Sequence, residues 1–343
     1  MDFIKTSILL SFILLFCSCA KIGYLYEQGK AQARLIIDAR DNEKVLSDPK
    51  VSKKFKEKIR KIEIYKKFFY EYWHLPSTEI YSETNILDRD AVTYLVIASE
   101  KRKIKPLSNC FFFAGCFPYL GFFELKSAKK HVKTLNEKGY DTYLRKVLAY
   151  STLGNLDDPI LSTFFRYSKY DLAETIFHEL FHTILFIKGE VDLNENLANY
   201  FGKEMLKEFF KDEKEKLEVH FKDLELSHEI KQEIVESAKE LKDILKEKDW
   251  EKRKKTYLEV TFPIKIKKKC DKLALKSCWP LKIKWNNATF SAFMTYEKSQ
   301  DKISILASKF DQDLRKFFLH IENEYKNFDE KDIEGPFEDY LLR

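Results

Sequence analysis

Residues 170–189, YDLAETIFHELFHTILFIKG, form an apolar stretch that nevertheless carries His178, Glu179 and His182. Its apolar residues (Leu172, Ile176, Phe177, Leu180, Phe181, Ile184, Leu185, Phe186) predict a buried helix, with Gly189 able to end it. Two histidines four apart on a helix project from one face about a turn apart, so both imidazoles can reach one metal ion. Glu179 can lie beside a metal-bound water without being a ligand, the arrangement zinc hydrolases use to make hydroxide near neutral pH. A chance HExxH often falls in an exposed helix or a loop. Inside an apolar helix, each of the three polar side chains needs a polar partner. The plain alternative is a hydrogen-bonded core pair without a metal.

A site of this type needs a third protein ligand and one open position. Past Gly189, the run Asn194-Glu195-Asn196-Leu197-Ala198-Asn199 fits a second helix running back along the first, and Glu195 is the candidate third ligand. Asp192, in the connection, and Glu204, more than two helical turns further on, are its competitors. Asn199, four residues after Glu195 on the same face, can hydrogen-bond a ligand imidazole and orient it; an ordinary helix asparagine is the alternative. Two imidazoles and a carboxylate suit Zn2+, one per chain.

Residues 1–18 read as an export signal: Lys5 gives a basic start, and Ile8 to Cys17 is an apolar run broken only by Ser11, too short to span a bilayer as a helix. Ser18 before Cys19 has the pattern of a bacterial lipoprotein cleavage site, which Cys17, preceded by the bulky Phe16, fits poorly. The chain is then expected at the cell envelope, exported and held to the membrane by lipid on Cys19; an ordinary secretory signal is the alternative. In an oxidising compartment, Cys110 with Cys116 and Cys270 with Cys278 are plausible local disulfides. Metal binding is the rival for the first pair, although its spacing matches no common zinc knuckle, and buried free thiols are the rival for the second.

Composition excludes several classes. With 44% hydrophobic and 34% charged residues the chain is neither disordered nor a polytopic membrane protein. Lys+Arg 61 against Asp+Glu 55 leaves a net charge of +6, interspersed along the chain, which gives no footing for nucleic acid. Only 9 Gly and 8 Pro favour long helices. The predicted class is α+β, mainly α. Glu43–Tyr72 reads as a helix, Ala91–Ser99 as a buried strand, Phe111–Phe123 as strands joined by a tight turn, and Ser127–Lys138 as a helix capped by Gly139. Leu144–Thr152 reads as a strand ending at Gly154, and from Ser168 the chain is mostly helix, including a long charged stretch over Lys203–Lys255. The expected organisation is a signal at 1–18, an N-terminal α+β region at 19–140 and a catalytic region at 141–343 with a helical insertion at 203–260.

HELFH followed by NExxA resembles the gluzincin metallopeptidases, in which two histidines and a downstream glutamate bind zinc. More narrowly, the chain resembles the bacterial putative aminopeptidase family of envelope lipoproteins. The likeness is carried by SCAKIGYLYEQGKAQ (18–32), CFFFAGC (110–116), YLGFF (119–123), AYSTLGNLDDPILS (149–162) and WNNATFSAFMTY (285–296). It implies a zincin-like fold with a small β-sheet and a long charged helical hairpin, and hydrolysis of a peptide substrate by a metal-activated water. Phe111-Phe112 stands where Phe-Pro is expected, and the gap from His182 to Glu195 is shorter than in the better-known zinc aminopeptidases.

Further roles follow from the mechanism. Tyr296 is the candidate oxyanion donor, with Tyr150 and Tyr119 as rivals and a core tyrosine as the plain alternative. Ala149 to Gly154, with Tyr150, Ser151 and Gly154, is the candidate edge strand that binds the substrate backbone. Asn286 and Asn287 read either as pocket residues or as a helix start. His74, His131, His220, His228 and His320 lack a ligand-spaced partner and read as structural or exposed. No GxMEN-type motif is visible upstream, so an endopeptidase is an open alternative. A non-catalytic envelope lipoprotein with a structural or degenerate zinc site is another.

Overall fold

The computed structural model describes residues 23–111, 115–149, 157–294, 300–311, 313–331 and 333–343. A helix over 23–37 (α1) leads into β1 (Arg40–Asp41), α2 (Asn42–Ser47) and α3 (Lys53–Trp73). The single helix expected from Glu43 is thus broken, because Pro49 disfavours helical backbone at Asp48 and α3 starts afresh where the Ser52 hydroxyl accepts the Phe55 N–H. α3 buries Ile59, Ile62, Tyr65, Phe69 and Trp73, spaced at three and four residues along one stripe, with Tyr70 beside it.

The chain next forms short strands: β2 (Glu83–Asn85), β3 (Thr93–Ser99), β4 (Asn109–Phe111), β5 (Gly115–Phe117) and β6 (Leu120–Phe122). After α4 (Leu125–Glu137) come β7 (Asp141–Val147) and β8 (Ile160–Leu161). β2 lies between β1, antiparallel, and β8, parallel. The β-branched run at β3 forms the centre of a second sheet, antiparallel to both β6 and β7, with α4 packed across it through Ala128. β4 and β5 form a hairpin in which Cys110 faces Cys116 and is disulfide-bonded to it. β7 is an edge strand, and it starts before the Leu144 expected from the sequence because Asp141, Thr142 and Tyr143 also pair with β3.

The rest is helical: α5 (Lys169–Phe181), α6 (Val191–Phe209), α7 (Lys214–Ile244), α8 (Trp250–Thr256), α9 (Phe262–Lys272), α10 (Asn287–Phe293), α11 (Gln300–Ser308), α12 (Leu314–Glu330) and α13 (Phe337–Leu341). A π-turn over Tyr257–Thr261 joins α8 to α9 and absorbs Pro263, which has no N–H to give the preceding turn. Helices α3, α5, α6 and α12 share the main core with the first sheet. The charged stretch has a core of its own, in which Ile230, Ile234 and Leu241 of α7 meet Tyr257, Phe262, Ile266 and Phe290. Cys270 and Cys278 form a disulfide at the end of α9.

A polar bracket ties this second core to the sheet. The buried Asn287 side chain donates to the carbonyls of Glu100, Lys101 and Lys103. The buried Asp141 carboxylate accepts from Lys101, Lys254 and the Asn287 N–H. Asn286 caps α10 by accepting the Thr289 N–H, so both asparagines belong to a helix start. Among the described residues no helix is long and apolar enough to cross a membrane.

Candidate metal centre

Ser168 caps α5 by accepting the Asp171 N–H, and the helix then buries Leu172, Ala173, Ile176, Phe177, Leu180 and Phe181. Phe177 packs among Tyr65, Phe68 and Phe69 of α3. The helix stops at Phe181, short of Gly189. The Thr183 hydroxyl donates to the Leu180 carbonyl at 2.7 Å, and the Ile184 and Leu185 amides both turn to the Phe181 carbonyl. The apolar run continues only because Leu185 and Ile187 are buried in the turn that follows. His182 is the last residue with helical backbone (φ -61, ψ -19), so it still stacks one turn beyond His178.

The chain then reverses through Gly189, at φ 82. The buried Asn194 side chain brackets Ile187, accepting its N–H at 2.9 Å and donating to its carbonyl at 2.7 Å. The Glu190 carboxylate accepts the Phe337 N–H at 2.6 Å, fixing the same turn to the C-terminal helices. α6 returns along α5 so closely that a Cβ on Gly202 would lie 3.1 Å from the His178 nitrogen and 3.2 Å from the Glu174 carbonyl. Phe201 stacks on Phe181 at 4.4 Å.

This hairpin brings the three expected ligands together. The two Nε2 atoms of His178 and His182 are 3.3 Å apart. One Glu195 oxygen lies 3.5 Å from His178 Nε2, and the other 3.5 Å from His182 Nε2. A tetrahedral shell of nitrogen and oxygen about 2.0–2.2 Å from zinc has edges of about 3.4 Å, so the donor set fits the ion. The Glu179 carboxylate is buried and within 4.8 Å of ligand atoms of both imidazoles. The side chain of His182 is 1% exposed and that of Glu195 44%, so the centre meets solvent on the Glu195 side.

The electrostatics are those of a site built for charge. Burial opposes a charged His178, but the Glu195 hydrogen bond, the Glu179 and Glu195 charges and the Asn199 side chain outweigh it and hold its pKa above the usual histidine value. Burial first, and then the charge of His178, push His182 down to about 4. The hydrogen bond from His178 holds Glu195 below the usual carboxylate range. Asn199 thus acts on the His178 ring, on the side that favours its charged form. The Nδ1 of His182 is buried and unpartnered among the described residues. Asp192 is exposed at the start of α6, and Glu204 is paired with Lys207, which leaves Glu195 as the carboxylate on the imidazoles.

Tyr150, Ser151, Gly154, Tyr296 and Cys19 lie outside the described residues. The chain enters the 150–156 segment from the edge strand β7, with the Leu148 carbonyl held by the Thr163 hydroxyl at 2.6 Å. Tyr119 sits in the turn between β5 and β6. His74 ends α3, His131 packs on Phe122, His228 bonds Gln232 and His320 stacks on Phe310. His220 is closer to the centre than its spacing suggests: its ring packs on Tyr170, and its Nε2 lies 3.9 Å from the carboxylates of both Asp171 and Glu174. Sequence reasoning passes over Asn194 and Gly202. The signal for Gly202 is a glycine inside a helix, where propensity disfavours it.

No curated protein and no solved structure matches the chain. A family model does, from residue 23 to residue 332, a span that takes in the whole α5–α6 hairpin. The chain belongs to the family described as "Putative aminopeptidase".

Proposed function

We propose that this protein is a zinc-dependent peptidase of the gluzincin type, on a zincin-like fold, acting as an aminopeptidase. The observation that carries the reading is the Glu195 carboxylate, set 3.5 Å from the Nε2 of both histidines. His178, His182 and Glu195 hold one zinc ion, and Asn199 fixes the ring of His178. When bound, the ion supplies a Lewis acid and lowers the pKa of a water to about 7. Glu179 takes the proton of the attacking water and later delivers it to the leaving amine. The substrate peptide lies as an added strand along 149–154, with Tyr150, Ser151 and Gly154 against its backbone, and Tyr296 donates to the oxyanion. Lipid on Cys19 keeps the enzyme at the cell envelope, so its partners are peptides and a membrane surface.

The test is Glu179→Gln. Bound zinc should stay at one per chain, while hydrolysis of peptides with a free amino terminus drops by about 10²-fold or more. Retained hydrolysis refutes the role. Cleavage of N-acetylated peptides at the same rate identifies an endopeptidase. A zinc-loaded wild type that cleaves nothing in a broad library points to a non-catalytic envelope lipoprotein.

A further inference from the structure

Tyr81 combines three properties that ordinary core tyrosines lack. Its backbone is left-handed at φ 60, a conformation that costs a bulky L-residue about 1–3 kcal/mol. It is 1% exposed, so nothing about solvent or a flexible turn excuses that cost. Its hydroxyl is buried with no hydrogen-bond partner among the described residues. The conformation is imposed from both sides: the Tyr81 N–H donates to the Asp158 carbonyl at 2.8 Å, and the Tyr81 carbonyl accepts from the Asn42 side chain at 2.9 Å. Strain that neighbours hold in this way persists where it aims a side chain.

The aim can be traced along α5. Glu179 lies in the last turn of α5, and Thr183 follows in the turn that ends it. The Thr183 hydroxyl lies 3.0 Å from the Tyr70 hydroxyl, which in turn lies 2.8 Å from that of Thr78. The segment that starts at Thr78 is therefore fastened beside His182, and Tyr81 lies three residues on. Burial chiefly raises the Tyr81 pKa, and the charge acting on it most strongly is that of Glu179, ahead of Asp158.

We propose that Tyr81 is a positioning residue for the general base: its hydroxyl donates to the Glu179 carboxylate as that side chain works, holding one oxygen so that the other faces the water. The proposal rests on the peptidase reading for its effect on rate, but not for the contact itself. Tyr81→Phe removes only the hydroxyl and keeps the ring against Phe164. In the zinc-loaded full chain, kcat should fall about tenfold with KM and bound zinc unchanged, since none of the ligands is altered. Melting temperatures of the wild type, Tyr81→Phe, Glu179→Gln and the double variant should show shifts that do not add, as for side chains in contact. An unchanged kcat, a loss of zinc in Tyr81→Phe, or additive melting shifts each overturns the proposal. If the wild type cleaves no peptide, the function fails, and the melting cycle still decides whether the two side chains meet.

Discussion

The pKa of His178 is raised and that of Glu195 lowered, so the fold favours the charged form of each beside the other. The His178 share of that stability is complete below its unfolded pKa and is lost as pH rises through the raised folded value. The Glu195 share is present above its unfolded pKa and is lost as pH falls through the lowered one. On the proposed function zinc would need the His178 imidazole neutral and would compete with its proton. Its affinity should therefore rise about tenfold per pH unit until His178 is deprotonated, and level off above that. Chelator competition from about pH 6 to about pH 8 measures this, and a flat profile contradicts a role for His178 as ligand. His178, Glu179 and His182 are legible in the sequence because spacing alone puts them on one turn. Tyr81 is not legible, because its backbone conformation is set by Asn42 and Asp158, partners that no local pattern announces.

The unit of the site is the α5–α6 hairpin. In an open helix, Gly→Ala stabilises by about 0.8–1 kcal/mol. At Gly202 the added Cβ would meet backbone atoms of His178 and Glu174 at 3.1 and 3.2 Å, which cannot swing aside, so overpacking of about 1–3 kcal/mol wins. Gly202→Ala should lower the melting temperature and weaken zinc binding together, because α6 is pushed off the helix that faces Glu195. A stabilised variant with unchanged zinc affinity would show that the close approach is not required. The start of α5 at Ser168 is readable, but its end is not, since Ile184, Leu185 and Ile187 continue the apolar pattern into a buried turn. Periodicity reports burial there, whereas the Thr183 hydroxyl and the Asn194 bracket decide the backbone.

At the scale of the whole chain, the sequence gives the helical character of the charged stretch but not the apolar seam that α7 shares with Phe262, Ile266 and Phe290. Amphipathic spacing identifies a face, not what covers it. Lipid on Cys19 predicts that Cys19→Ala moves the protein from the membrane pellet to the soluble fraction. A variant that still pellets argues against lipid on that residue. The three candidate ligand side chains come from a single reversal of the chain, whereas Tyr81 arrives from far upstream. Local closure is fast and non-local closure slow. On the proposed function, the folding chain would capture a cation before Tyr81 has docked, so that metal uptake and the ability to cut would be acquired at separate moments of maturation.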